Sequence, residues 1–177
     1  MILSKRTAPL TVKEIDEFFD PSTQGHLKYR ITMLQSYKDR RAADAKVPYQ
    51  DSICGFESAL VACRLFMQFL GLSISHNPNL QLIENPTYFN SGGKSDEVKV
   101  TDLGGSFVSI ASDFTPTEAD LLARTYHAAS KATAHLTAGS NHGFKPEELS
   151  QSVDLVTKLL QKRLYGPVGR PIERHFD

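Results

Sequence analysis

Residues 50–71 read QDSICGFESALVACRLFMQFLG, and this stretch decides the fold. Apolar side chains fall on nearly every side when the stretch is placed on a helix with 3.6 residues per turn. A helix that is apolar all round is buried in a protein core or in a membrane. Because Glu57, Arg64 and Gln68 interrupt the run, it does not fit a spanning helix of about 20 apolar residues with few or no charges. We therefore interpret it as the central helix of a bundle, ended by Gly71.

The three polar residues of this stretch share one side of the helix. Glu57, Arg64 and Gln68 are spaced i, i+7 and i+11, which places them in a narrow sector. Charged residues are almost never fully buried unless they are paired. The sector is therefore either the solvent face of the helix or a polar seam that faces other helices or a second copy of the chain. In the second interpretation these residues, with Lys131, form a binding site.

The rest of the chain predicts a mainly α fold in one domain of 177 residues. Thr11 and Glu14 have the spacing of a capping box, which indicates a short N-terminal helix, and Thr115 and Glu118 have the same spacing at the start of the third long helix. The connections between the first and second long helices, and between the third and fourth, are short, so we expect a four-helix antiparallel bundle. The long helices are predicted at about 26–45, 50–71, 116–136 and 146–165.

The segment 72–115, between the second and third long helices, differs in character from the rest. It contains Asn-Pro and Gly-Gly pairs, and three short runs in it are β-rich: 80–83, 98–103 and 107–111. A loop of this length without structure is unusual in a compact domain. We therefore expect a small insertion that contains a β-hairpin or three strands. Residues 166–177, which follow the Gly-Pro pair after the last helix, are expected to form a flexible tail.

Composition and cysteine spacing limit the possible partners. The chain has 20 acidic and 20 basic residues, so its net charge favours neither nucleic acid nor a membrane surface. Its N-terminus lacks the apolar core of a signal peptide. Cys54 and Cys63 are too far apart on one helix to form a disulfide, since nine residues span roughly 13 Å. We expect buried thiols in a reducing cytoplasm and no membrane partner.

A second polar stripe lies on the third long helix, formed by Arg124, His127, Lys131 and His135. A metal ion shared by His127 and His135 is excluded, because eight residues span about 12 Å along the axis whereas metal–nitrogen bonds are near 2 Å. The Glu-x-x-His spacing of di-metal bundles is absent. We therefore expect no metal site and no cofactor. His135 lies nearest the apolar stripe, and it is the histidine that we expect to be partly buried.

Two segments carry a resemblance to a known family: RTYHAASKATAHLTAG at 124–139 and SALVACRLFMQFLGL at 58–72. Together they resemble helical families of the HEPN superfamily, over about residues 50–164. The resemblance implies a bacterial protein of four to five helices, usually a dimer, from a toxin–antitoxin or phage-defence setting. Many HEPN proteins are metal-independent ribonucleases with an Arg-x4-6-His motif at the dimer interface. Here that spacing occurs at Arg170 and His175, in the tail, with Pro171 beside the arginine.

Three functions remain open. The leading expectation is a non-enzymatic bundle that acts by self-association, as a dimer, or by binding a protein partner, because no complete catalytic motif is present. The second is a HEPN-like ribonuclease acting on RNA. The third is a small-molecule site under the 72–115 insertion. The candidate catalytic residues for the second are Arg124, His127, His135, Arg170 and His175.

Overall fold

The computed structural model describes residues 9–20, 26–43, 49–85, 98–134 and 144–173. The protein is mainly helical with a two-stranded antiparallel hairpin between the second and third long helices, so the predicted fold class is confirmed. The helices are α1 (Val12–Phe19), α2 (His26–Ala43), α3 (Tyr49–Phe69), α4 (Ile110–Asp113), α5 (Pro116–Ala134), α6 (Pro146–Leu160) and α7 (Gly166–Val168). The strands are β1 (Leu72–Ser75) and β2 (Gln81–Glu84).

The stretch that the sequence placed at the centre of the bundle, α3, contacts α2, α5, α6 and β1. Its buried face combines small and large apolar side chains, and burial of each large one stabilises the fold by about 1.5–3 kcal/mol. The small residues Ala59 and Ala62 are fully buried, which allows neighbouring helices to come close. The buried side chains of α3 are Ala59, Leu60, Ala62, Cys63, Phe66 and Met67, and Leu70, which directly follows the helix, is buried as well.

Side-chain caps begin α1 and α5 where the sequence predicts them. Thr11 and Glu14 form a reciprocal capping box at the start of α1. At the start of α5 the backbone N–H and the hydroxyl of Thr115 donate to Glu118 at 2.8 and 2.9 Å. The Thr115 hydroxyl in turn accepts from the backbone N–H of Glu118 at 3.3 Å. These bonds from Thr115 hold the pKa of Glu118 below its ordinary value.

The insertion contains the expected hairpin, but only one of the three β-rich runs is a strand. β1 pairs with β2 in the register Leu72↔Glu84 to Ser75↔Gln81. The run 98–103 instead forms a 3-10 turn at Val100–Leu103, and the run 107–111 leads into α4. Both strand predictions are wrong because aspartates close local turns: Asp102 accepts from the N–H of Lys99, and Asp113 accepts from that of Ser109, each at 2.9 Å.

Gly71 connects α3 to the insertion. Its φ of +86° ends the helix in the left-handed region, where an L side chain is strained. A Cβ at this position would lie 2.7 Å from Cδ1 of Phe107, so the phenyl ring packs directly on the glycine. The Asn85 N–H donates to the Gly71 carbonyl at 2.7 Å, and the Val108 N–H donates to the Leu70 carbonyl at 3.1 Å. The insertion is therefore fixed to the end of the central helix by backbone hydrogen bonds.

The last long helix does not end at the Gly-Pro pair as predicted. α6 passes through a π-helical turn, Gln161–Tyr165, into α7, and the chain leaves the helix at Gly169 with φ +68°. Pro167 has no N–H to donate to the carbonyl of Arg163 four residues earlier, and that carbonyl accepts instead from the backbone N–H of Ser106 at 2.9 Å.

The segment expected to be a tail, 166–177, begins with α7, and the residues that follow α7 pack partly onto α1. Arg170 forms an ion pair with Asp16, and its guanidinium lies 4.6 Å from the centroid of the Phe19 ring. Ile172 packs against the core. None of the helices in the described ranges is long and apolar enough to cross a lipid bilayer.

Candidate functional site

The polar sector of α3 is divided between solvent and a neighbouring helix. Glu57 is exposed, whereas Arg64 and Gln68 are half-buried. The Gln68 amide donates to the Tyr126 hydroxyl at 2.8 Å, and the Arg64 guanidinium lies 5.5 Å from the centroid of the Tyr126 ring. The sector is thus a solvent face at Glu57 and an interhelical seam at the other two residues.

Tyr126 receives both contacts because α5 presents it to α3. The helix is fixed by its Thr115 cap and by the buried residues Leu121, Leu122 and Ala129. Tyr126 is itself buried, and aromatic faces attract guanidinium groups by about 0.5–1 kcal/mol at accessible sites. Sequence reasoning missed this residue, although it stands directly before His127.

His127 is half-buried on α5 and contacts a histidine from the insertion. Its ring centroid lies 5.2 Å from that of His76, with 70° between the ring planes. His76 directly follows β1 and is exposed. The hairpin strands contact α5, which brings the two rings together. We call Arg64, Gln68, Tyr126, His127 and His76 the α5 edge.

Arg124 and Lys131, the other described residues of the predicted α5 stripe, do not form one cluster with the α5 edge. Arg124 bonds to Asp120 at 2.9 Å and pairs with Glu148 on α6. The bond to Glu148 raises the pKa of Arg124, and the pKa of Glu148 is lowered first by the backbone N–H of Lys145 and then by Arg124. Arg124 therefore joins α5 to α6. Lys131 is half-buried one turn after His127.

Of the predicted Arg170–His175 pair, only Arg170 lies within the described residues. Arg170 is paired with Asp16 and lies over Phe19, as described above. His175 and His135 lie outside the described residues. Within the described ranges, Arg124 and Arg170 each form an ion pair with a carboxylate of this chain.

A cavity of about 230 Å³ lies beside α1. It is smaller than the roughly 300–1,000 Å³ of ordinary ligand pockets. Burial, and then Glu173, raises the pKa of the Tyr165 hydroxyl at this cavity. The lining residues are Phe19, Leu27, Lys28, Tyr165, Arg170, Pro171 and Glu173.

The outward side of α3 keeps apolar residues exposed, contrary to the expectation of burial all round. Ile53 is 37% exposed and Leu65 is 38% exposed. Cys54 is also exposed, so the prediction that both thiols are buried is wrong for this residue; both cysteines are free. Cys63 is buried, and burial raises its pKa. We call the outward side the α3 face; it consists of Ile53, Cys54, Glu57, Val61, Arg64, Leu65, Gln68 and Phe69.

Comparisons with protein-family models, with curated proteins and with solved structures give no match for this chain. In the part of the chain that the structure describes, no group of three or more His, Cys, Asp or Glu side chains is arranged to hold a metal ion. What the α3 face and the α5 edge do therefore follows from their own contacts and charges.

Proposed function

We propose that this protein acts by self-association, as a dimer in which the α3 face of one copy packs on that of another. The single observation that supports this is the α3 face itself. Ile53, Val61 and Leu65 retain apolar surface on the central helix. Ile53 and Leu65 are about 18 Å apart along the axis, so exposed apolar side chains occur at both ends of a stretch of roughly three turns. Exposed apolar side chains that are rimmed by polar groups are typical of interaction sites.

The charges on the α3 face are arranged to complement themselves. A dimer with two-fold symmetry uses the same surface on both copies. If one residue of the first copy contacts a second residue of the other copy, the reverse contact forms as well. If two α3 helices pack antiparallel with the axis near Val61, Glu57 of each copy lies opposite Arg64 of the other. Val61 stands next to the midpoint of these two positions, so it lies at the centre of the contact. Both ion pairs form at once.

The strength of such a dimer is limited. One helix face buries less than the roughly 800 Å² per partner of a stable interface, so we expect association in the micromolar range or weaker. Exposed ion pairs contribute about 0.2–1 kcal/mol each. Two attractive pairs that become repulsive change the binding free energy by about 1–3 kcal/mol, or roughly 5- to 150-fold in the dissociation constant.

The state of the candidate catalytic arginines favours binding over ribonuclease activity. A catalytic arginine must reach its substrate, but Arg124 and Arg170 are each held in ion pairs within the chain. On the α3 face, Ile53, Glu57 and Leu65 are already exposed. The free thiols of Cys54 and Cys63 support a reducing location such as the cytoplasm.

Charge reversal on the α3 face tests the proposal. The wild type and the Glu57→Lys, Arg64→Glu and Glu57→Lys/Arg64→Glu variants are compared by sedimentation equilibrium from 1 to 200 µM, with circular dichroism to confirm folding. Each single variant should associate more weakly, and the double variant should recover association. An equimolar mixture of the two single variants should form heterodimers, because every facing pair is then attractive. Lys158→Glu, an exposed change on α6, is the control.

Several outcomes would overturn the proposal. One is a wild type that stays monomeric over the whole concentration range. Another is a pair of single variants that associate as the Lys158→Glu control does. Failure of the single variants to combine in the mixture would also exclude the Glu57–Arg64 pairing across a two-fold axis.

A further inference from the structure

The contact between His76 and His127 joins two parts of the chain that the sequence does not relate. His127 lies on α5, whereas His76 directly follows β1 in the insertion. Leu72 and Leu82, one on each hairpin strand, are buried in the core. Because the strands are fixed to the core and contact α5, the fold brings the two histidines next to each other.

The separation of the two rings matches that of imidazoles bound to one metal ion. Two imidazoles on a tetrahedral zinc ion, with bonds of about 2.0–2.1 Å, have ring centroids about 5 Å apart. The observed separation is 5.2 Å. The two rings meet edge to face in this structure. One ring must therefore turn before a nitrogen of each ring points to the same ion, and the side chain of His76, which is exposed, has room to turn.

We propose that His76 and His127 form a two-imidazole site for a late first-row divalent cation such as Zn²⁺, Ni²⁺ or Cu²⁺. Imidazole nitrogen suits these ions, whereas Mg²⁺ and Ca²⁺ require oxygen ligands. His76 is exposed, so water can occupy the remaining coordination positions. A bound ion would link the β-hairpin to α5 and would stabilise the folded state by mass action.

Two features limit the affinity of this site. Among the described residues no third His, Cys, Asp or Glu joins the pair, so the protein supplies two ligands rather than the four of a structural zinc site. Lys131 lies one turn after His127 on the same side of α5, and its positive charge opposes cation binding. The site should therefore bind reversibly and be emptied by a chelator.

Metal titration of matched histidine variants tests the proposal. NiCl₂ and, separately, ZnCl₂ are titrated by calorimetry into the wild type and into the His76→Ala, His127→Gln and His76→Ala/His127→Gln variants. Each single variant should lose at least about tenfold in affinity. The double variant should lose less affinity than the sum of the two single losses, because both rings bind the same ion. His26→Ala, which removes a histidine that packs on Phe18, is the control and should bind as the wild type does.

Thermal unfolding tests metal binding by a second measurement, which does not depend on the binding model fitted to the calorimetric titration. Added Ni²⁺ should raise the melting temperature of the wild type and of His26→Ala, but not that of His76→Ala; Mg²⁺ should raise neither. Wild-type affinity in both single variants would overturn the proposal. So would independent losses in the two variants that add together in the double variant.

This site does not rest on the proposed self-association, and one further variant separates the two. Glu57→Lys should weaken the dimer and leave nickel affinity unchanged, because Glu57 is not part of the histidine pair. If nickel affinity instead falls with dimerisation in that variant, the ion bridges two copies and the intramolecular pairing is wrong.

Discussion

Replacing Asp113 by asparagine should destabilise the fold more than any other single change to an ion pair described above. The Asp113 side chain is 0% exposed and accepts from Lys162 at 2.7 Å, from Arg163 Nε at 3.1 Å and from the backbone N–H of Ser109 at 2.9 Å. It therefore joins α4 and the insertion to the π-helical turn after α6. Asparagine keeps the volume but loses the charge and turns an N–H₂ group towards one of these donors.

The expected cost follows from the exposure of the partners. Removing one member of a buried ion pair costs about 3–5 kcal/mol. The Lys162 side chain is 54% exposed and that of Arg163 is 20% exposed, so the released cations regain part of their hydration. We therefore expect a loss of about 2–3 kcal/mol in the free energy of unfolding, or roughly 4–12 °C in melting temperature for a chain of this size.

The pH dependence of this loss has a definite sign. Burial pushes the pKa of Asp113 up, but the hydrogen bonds from Lys162, Ser109 and Arg163 outweigh burial and hold the pKa below its ordinary value. A carboxyl group with a lowered folded pKa stabilises the fold above its unfolded pKa of about 3.9. That stability is lost as the pH falls through the folded pKa. The difference between wild type and variant should be constant from about pH 7 to 5 and shrink below about pH 4.

Urea unfolding followed by circular dichroism measures this effect at pH 7, 5 and 3.5. Asp154→Asn is the matched control, because Asp154 pairs with Lys38 at the surface, where its side chain is 66% exposed. Exposed pairs contribute about 0–1 kcal/mol, so the control should lose little. The reasoning is refuted if Asp113→Asn costs no more than the control, or if its cost is as large at pH 3.5 as at pH 7.

Two further substitutions test the attachment of the insertion and the α5 edge. Gly71→Ala should cost about 2–4 kcal/mol, since it adds the left-handed strain of about 1–2 kcal/mol to a clash with Phe107. Gly169 has a similar positive φ, but a Cβ there would meet no atom within 4 Å, so Gly169→Ala is the control and should lose only the strain energy. If the two variants lose the same free energy of unfolding in urea, the predicted clash with Phe107 is wrong. Tyr126→Phe removes the hydroxyl that Gln68 binds and should cost about 0.5–1.5 kcal/mol by the same measurement. A neutral result would show that water replaces this bond at no cost.

The helices were predictable because their signals are local. The capping spacing at Thr11 and Thr115 specifies where α1 and α5 begin, since the cap satisfies N–H groups within a few residues. The apolar run of α3 identified the central helix for the same kind of reason. The β-rich runs at 98–103 and 107–111 were misleading, because Asp102 and Asp113 bond to nearby backbone and favour turns over strands.

The candidate site was predictable only in part. The narrow sector of Glu57, Arg64 and Gln68 follows from helical periodicity, but periodicity does not tell which element covers that sector. Tyr126 does so for two of the three residues. His127 was tested against His135 on its own helix, whereas the histidine that contacts it, His76, comes from the hairpin.

By itself the sequence determined the helices, the central position of α3 and the separation of the two cysteines, because these depend on spacing along one element. Tertiary structure alone decided that Cys54 and Leu65 stay exposed, that Asp113 is enclosed by two cations, and that His76 meets His127. The physical reason is that exposure and contact are properties of how elements pack. A helix specifies the direction of each side chain, but its neighbours decide whether that direction leads to water, to a charge or to another ring.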